Sequence, residues 1–237
     1  MLDAVLAAVG KAKGEFKDTP LTAFDTLVGS EWKNDLLVVG RAANGWGDAW
    51  PAEEAMSPEH RSRIVRSLPE AVAGDRKCPM TWVTESWSTG ADYNTAGSAF
   101  WRVAKAVTEQ LGIAPADSTW ASHLAYTNLY RVSPHGGGNP SDPLCRVQEQ
   151  SCIDSLGEDL DRLQPRRVLF LTGYDWARPF LERLGGWKSS DTRIDGLEAA
   201  GRLERGGRSI QVVVAPHPQG KQEQKLTQGV AQAWQAM

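Results

Sequence analysis

The chain has 237 residues, of which 41% are hydrophobic and 23% are charged, and its formal net charge is −3 at pH 7. This composition is that of a globular protein and argues against extensive disorder. The weak negative charge excludes a general attraction to nucleic acid or to an anionic membrane, so a nucleic-acid-binding role would require a local basic surface. A chain of this length can fold as one large domain.

No hydrophobic run approaches the roughly 20 residues that a membrane-spanning helix needs. The N-terminus carries an early acid, Asp3, and does not follow the basic-then-apolar order of a secretion signal. Three cysteines, Cys78, Cys145 and Cys152, are odd in number and scattered, which suits a reducing compartment better than a disulfide framework. The expected location is therefore the cytoplasm, with no membrane partner.

The first part of the chain shows two helical patterns. Apolar residues at helical spacing predict a surface helix from Leu2 to Lys11, and Thr19 ahead of a proline predicts a second helix from Pro20 to Leu27. We expect the N-terminal helices, within about residues 1–32, to pack on the main part of the domain.

An opening strand follows these helices. The unbroken apolar run Leu36-Leu37-Val38-Val39 ends in Gly40, a pattern typical of a strand buried on both faces of a parallel sheet, and it predicts a strand from Asp35 to Gly40. Between Arg41 and Thr95 the only helical pattern runs from Ser57 to Leu68. Such a long irregular stretch usually carries functional loops.

The second half of the chain alternates strands with helices. Further strands are predicted at 122–130, 166–173 and 210–215, further helices at 95–111, 143–163, 176–184 and 221–236, and a linker that could include a short edge strand at 185–207. This alternation specifies a parallel sheet with right-handed crossovers. We predict a single α/β domain over residues 1–237, a three-layer α/β/α sandwich around a central four-stranded parallel sheet.

Polar residues gather at three of the predicted strand ends. Arg41 and Asn44 follow the first strand, Asn128 and Arg131 lie at the second, and His217 follows the fourth. Each has an ordinary structural interpretation alone, because a strand-end asparagine often satisfies turn backbone and a histidine between prolines is often structural. In open α/β sheets, however, ligands bind outside the carboxyl ends of the strands. The shared location therefore favours a binding cleft.

The order of these motifs resembles the uracil-DNA glycosylase superfamily over roughly residues 33–235. Its most specific parts are the His217-Pro218 pair after the last strand and the segment around Asn128. The resemblance implies a uracil-DNA-glycosylase-like fold and a role in DNA repair, in which uracil or another damaged base is excised by N-glycosidic hydrolysis. DNA, or a nucleobase or nucleotide, would be the partner, and no protein partner is indicated.

The resemblance also implies roles for individual residues. His217 would stabilise the departing base, Asn44 would be the best substitute for positioning water, and Asn128 would read the base edge. Independently of the resemblance, the basic residues Arg41, Arg131, Arg146 and Lys221 could form a phosphate-facing patch, with Arg131 and Lys221 as the candidates for binding DNA phosphates. The alternative for each of them is solvated surface charge. The base-binding set would be completed by Gly40, Arg41, Ala42 and Trp46.

These roles are chemically coherent. Cleavage leaves an oxocarbenium-like sugar and a uracil anion, and a neutral histidine N–H aimed at the anionic carbonyl oxygen is typically worth about 3–4 kcal/mol. A carboxamide can donate to one ring position and accept from the next, so Asn128 suits a pyrimidine edge. The flipped base is stacked on aromatic side chains, for which Trp46 and Trp101 are the candidates.

Three positions depart from the family pattern. Ala42 stands where the most active branches carry Asp or Asn, Ala43 replaces a proline, and Gln219 replaces a serine. Catalysis therefore stays open at this point. The alternative is a non-catalytic nucleobase-, nucleotide- or DNA-binding protein of the same fold, and a third hypothesis is an unrelated small-molecule enzyme on a doubly wound scaffold.

No cofactor or metal is expected. Iron–sulfur branches need four cysteines and this chain has three, while its four histidines lack metal-ligand spacing. His135 and the three glycines after it resemble a lipase oxyanion loop, but the chain has no G-x-S-x-G nucleophile motif. Dinucleotide-binding and phosphate-loop motifs are also absent from the sequence.

Overall fold

The computed structural model describes residues 1–73, 77–87, 93–115, 119–191 and 193–237, with only the backbone described at 69–73. The chain forms two compact units, each assembled from three stretches of sequence. The first unit contains Met1–Thr26, Gly40–Asp75 and Thr127–Arg162, and the second contains Leu27–Val39, Arg76–Tyr126 and Leu163–Met237. The single domain over residues 1–237 stays a prediction.

Helices and strands alternate along much of the described chain. The α-helices are α1 (Leu2–Lys11), α2 (Pro58–Ala73), α3 (Thr81–Glu85), α4 (Ala99–Gln110), α5 (Asp142–Leu163), α6 (Tyr174–Leu184) and α7 (Glu223–Ala236). The strands are β1 (Leu21–Ala23), β2 (Leu27–Val28), β3 (Leu36–Ala42), β4 (Ala125–Tyr130), β5 (Val132–Pro134), β6 (Arg167–Phe170), β7 (Trp187–Ser189), β8 (Ala199–Arg205) and β9 (Arg208–Val214). Short 3-10 helices lie at Lys13–Glu15, Ala52–Met56, Thr95–Gly97 and Trp120–His123.

The larger sheet has seven strands in the order β2-β4-β3-β6-β9-β8-β7. The paired part of β3 is parallel to β6, and β6 is parallel to β9, so that Val39, Phe170 and Val214 lie side by side. These three residues are at most 1% exposed. This burial is what an unbroken apolar run predicts for a strand covered on both faces. The carboxyl ends of β6 and β9 therefore reach the same edge of the sheet.

The sheet has seven strands of mixed direction, not the four parallel strands that we predicted, although β3, β6 and β9 are parallel as expected. The predicted strands correspond to β3, β4, β6 and β9, but β2, β8 and β7 add antiparallel pairs. β8 mixes small and charged residues and has no apolar run, yet it joins β9 through the tight turn at Gly206 and Gly207, both at positive φ. The structure confirms a mixed α/β fold, and the three-layer arrangement stays a prediction.

The predicted helix from Pro20 to Leu27 was also wrong. In its place, β1 pairs with β5 in a separate two-stranded sheet, and Leu21 exchanges backbone hydrogen bonds with Trp50. All three β1 residues are buried, a pattern that one face of an amphipathic helix cannot give. The other predicted helices are confirmed with shifts of a few residues at their ends. Residues 74–76 and 88–92 of the predicted irregular stretch lie outside the described residues.

We expect Gly10→Ala to lower the free energy of unfolding by about 1–3 kcal/mol. Gly10 lies on the buried face of α1, and a Cβ there would come 2.6 Å from the carbonyl group of Ala55. Gly14→Ala is the matched control, because a Cβ there meets no described atom within 4 Å. Urea unfolding of both variants tests this packing, and equal losses of stability would contradict it.

Candidate functional site

The segment after the opening strand begins later than predicted. Gly40, Arg41 and Ala42 belong to β3 itself, so the turn starts at Ala43 and continues through Asn44 to Gly47. Gly40 is buried, and Arg41 and Ala42 are half-buried. The predicted base-binding residues at these three positions would therefore act from the end of a strand. Their role stays a prediction.

The turn is fastened to the segment after β5 in the first unit. The Ser133 hydroxyl donates to the Ala43 carbonyl at 2.7 Å, and the Nε2–H of His135 donates to the Gly47 carbonyl at 3.2 Å. The amide oxygen of Asn44 accepts the Gly138 N–H at 3.1 Å. Asn44 itself is exposed, so its carboxamide is oriented by the protein while it faces solvent. This is the arrangement that a water- or ligand-binding side chain requires.

The two candidate stacking tryptophans differ in environment. Trp46 is half-buried, its ring meets that of Phe24 edge to face at 5.3 Å, and its carbonyl accepts the Thr22 hydroxyl. Trp101 is 2% exposed and belongs to a cluster of aromatic rings in the second unit. An enclosed ring cannot stack on a flipped base, so the structure favours Trp46 and removes Trp101 from consideration.

Asn128 lies in β4, whose six residues are all buried. Its own exposure is 1%, and its neighbour Thr127 shares a 2.8 Å hydrogen bond between hydroxyl groups with Thr26. Burial of a carboxamide is costly unless its polar atoms are satisfied, so this position constrains the side chain strongly. The base-reading role of Asn128 stays a prediction.

The predicted contact of Arg131 with a DNA phosphate was wrong. The side chain is completely buried in the first unit, and its Nη2 lies 2.5 Å from Oδ2 of Asp159, which is 1% exposed. Its Nη1 donates to the Thr26 hydroxyl at 2.7 Å. A guanidinium held in this way cannot reach a phosphate outside the protein. Arg131 instead neutralises a buried carboxylate.

His217 lies in a tight turn between β9 and α7 in the second unit. Its Nδ1 accepts the backbone N–H of Gln219 at 3.4 Å, and the Lys221 N–H donates to the Pro218 carbonyl at 3.0 Å. A neutral ring with Nδ1 as its acceptor has its hydrogen on Nε2. Because the donor is the Gln219 backbone, this contact does not depend on the Gln219 side chain. Lys221 is exposed, as a phosphate-binding residue must be.

The start of α7, directly after this turn, is held by an ion pair that the sequence did not reveal. Arg102 on α4 binds Glu223 through two contacts, Nε to Oε2 at 2.9 Å and Nη2 to Oε1 at 2.5 Å. A third contact joins its Nη1 to the Ala96 carbonyl at 2.6 Å. The hydrogen bond from Arg102 lowers the pKa of Glu223 below its ordinary value of 4.5. No sequence signal indicates this pairing, because it joins two helices 121 residues apart.

Glu223→Gln is expected to lower the melting temperature at neutral pH and to have a smaller effect at acidic pH, below the ordinary glutamate pKa of 4.5. A carboxyl group with a lowered folded-state pKa stabilises the fold above its ordinary pKa, and this stabilisation disappears as the pH falls through the folded-state value. Thermal unfolding of wild type and variant at both pH values measures the difference. The control is Glu182→Gln, an exposed acid on α6, for which the difference should be small at both. A pH-independent effect of Glu223→Gln would contradict the ion pair.

The described residues contain no group of three or more His, Cys, Asp or Glu side chains placed to hold a metal ion. Cys78, Cys145 and Cys152 are unpaired. Burial raises the pKa of Cys145 to about 11 and that of Cys152 to about 12, so both stay protonated near neutral pH. In the same part of the chain, no helix combines the length and hydropathy needed to cross a bilayer.

Comparison with known proteins gives one family. The model described as the uracil DNA glycosylase superfamily matches residues 75–237, more than half of the chain. The matched range includes Asn128, His217 and Lys221, and it begins after the Asn44 turn. No curated protein is similar enough to count as a match.

Proposed function

Because the chain belongs to the uracil DNA glycosylase superfamily, we propose that it excises uracil or another damaged base from DNA. The reaction is hydrolysis of the N-glycosidic bond. The observation that carries the proposal is the geometry at His217, which lies in the matched range and whose Nδ1 accepts the backbone N–H of Gln219. A neutral ring with its hydrogen on Nε2 is the donor that a departing uracil anion needs.

In the proposed reaction the bond between the sugar C1′ and the base nitrogen breaks, and its electron pair leaves with the base. The negative charge spreads onto a carbonyl oxygen, where the Nε2–H of His217 stabilises it without transferring its proton. Water then adds its hydroxyl to C1′, and its proton goes to the released base or to solvent. His217 is the catalytic residue of this step.

We propose that two asparagines recognise the base and position the attacking water. Asn128 reads the base edge, because a buried and constrained carboxamide discriminates between hydrogen-bonding patterns. Asn44 positions the attacking water in place of the acidic or amide residue that Ala42 cannot supply. Gly40, Arg41, Ala42 and Trp46 complete the base-binding set, and the exposed Lys221 binds a phosphate.

Base release from a labelled single-stranded oligonucleotide tests this proposal. We expect wild-type protein to convert an oligonucleotide with one uracil into an abasic strand, detected by alkaline cleavage. Hypoxanthine and mismatched duplex substrates extend the test to other bases. No release above the His217→Ala background from any of these substrates would contradict the enzymatic function.

A non-catalytic nucleobase- or DNA-binding protein is the second candidate. Two observations favour it: Ala42 has no polar group, and the Asn44 oxygen already accepts one hydrogen bond, from Gly138. For such a protein, added nucleobases would quench the tryptophan fluorescence, and no base would be released from DNA. A flat titration with every base would count against both candidates.

We also place the protein in the cytoplasm. The supporting observation is that its three cysteines are unpaired, as they are in proteins of reducing compartments.

A further inference from the structure

The glycine loop, defined as Gly137 and Gly138, is in direct contact with Asn44 in the first unit. The Gly138 N–H donates to Oδ1 of Asn44 at 3.1 Å, across 94 residues of sequence. The loop is itself held by a 3.2 Å hydrogen bond from the Gly137 N–H to the Pro134 carbonyl. A backbone donor of this kind has a fixed direction, so it selects the orientation of the Asn44 amide oxygen.

Gly137 provides the space that this orientation of Asn44 needs. A Cβ on Gly137 would lie 2.5 Å from Oδ1 of Asn44, closer than real Cβ contacts come. Its backbone φ of +93° is also a conformation that residues other than glycine rarely adopt. Gly136 differs on both counts, because its φ is not in the positive region and a Cβ there meets no described atom within 4 Å.

We infer that the glycine loop is a positioning element for Asn44, in which Gly138 holds the amide oxygen and Gly137 leaves room for it. The inference rests on the proposed role of Asn44 in binding water. A carboxamide has two acceptor lone pairs and two N–H donors. The Gly138 contact uses one of these four positions and orients the other three.

The proposed positioning gives the glycine loop after β5 a role in the reaction. An isolated exposed asparagine would sample several rotamers, and a misplacement of about 1 Å at a reacting group can cost about 100-fold in rate. The loop removes this freedom without contacting substrate. Gly137 and Gly138 are therefore positioning residues.

The first test is the Asn44 side-chain amide signal in a ¹⁵N–¹H spectrum, assigned by its absence in Asn44→Ala. We expect Gly137→Ala to shift this signal and Gly136→Ala to leave it in place. A second measurement does not depend on the folding of the Gly137 variant: Asn44→Ala should shift the backbone amide signal of Gly138. Unshifted signals in both experiments would overturn the inference.

The second test is a double-mutant cycle on single-turnover base release. We expect Gly137→Ala and Asn44→Ala each to lower the rate about 100-fold, and the double variant to match Asn44→Ala alone. Gly136→Ala should retain the wild-type rate. Independent, additive losses would overturn the inference. Shifted spectra without base release by wild type would contradict the proposed function and leave the positioning of Asn44 supported.

Discussion

Replacing His217 with alanine is expected to lower the rate of base release about 100- to 1000-fold, the usual cost of losing one donor to a developing oxyanion. The loss should appear in the chemical step, because His217 is proposed to act on charge that forms only as the bond breaks. Single-turnover kinetics with enzyme in excess over a uracil-containing oligonucleotide measure that step directly.

Two control variants separate this effect from general damage. Gln219→Ala keeps the backbone N–H that bonds to Nδ1 of His217, so it should retain the wild-type rate. His60→Ala removes a half-buried histidine from α2 and should also be neutral. A His217→Ala variant that releases base as fast as these controls would contradict the catalytic role of His217.

Replacing Arg131 with methionine is expected to lower the free energy of unfolding by about 3–5 kcal/mol. Both members of the Arg131–Asp159 pair are buried, so the variant leaves a carboxylate without its main counterion in a medium that solvates it poorly. Urea unfolding monitored by tryptophan fluorescence measures the change.

The matched control is Arg162→Ala. Arg162 binds the other oxygen of Asp159 at 2.8 Å, but its side chain is 49% exposed. Solvent screens such a pair, so its loss should cost less than about 1 kcal/mol. Removing both buried charges, with Arg131→Met and Asp159→Leu together, should restore part of the stability. Equal small effects of Arg131→Met and Arg162→Ala would contradict the buried pair.

The elements that could be predicted from sequence are those whose residue pattern follows directly from burial. Residues Leu36–Val39 and Val212–Val214 are apolar without interruption because both faces of each strand are covered, and the strands are where the pattern predicted. Within residues 185–207 we predicted at most one short edge strand, whereas the structure has β7 at the sheet edge and the seven-residue β8 between β7 and β9. Neither strand has an apolar run that would indicate burial on both faces. Pro20 directly before Leu21–Ala23 indicates the start of a helix, but pairing with β5 makes this segment a strand.

The candidate site also has features that the sequence can predict and features that it cannot. The hydrophobic pattern is enough to place His217 after the last strand and Asn128 in the strand β4, and the roles of both residues stay predictions. It cannot distinguish an arginine that binds phosphate from one that neutralises a buried carboxylate, and Arg131 is the second kind. Contacts between distant segments, such as Asn44 with Gly138, also leave no periodic pattern. They depend on loop conformations that only the folded chain defines.

We propose that water cleaves the N-glycosidic bond and leaves the base intact. Mass spectrometry of the base released in ¹⁸O-labelled water tests it most directly. We predict free uracil of unchanged mass with wild-type protein, since the water oxygen goes to the sugar, and no uracil above background with His217→Ala. Uracil that carries ¹⁸O, or no free uracil from wild type, would contradict the claim.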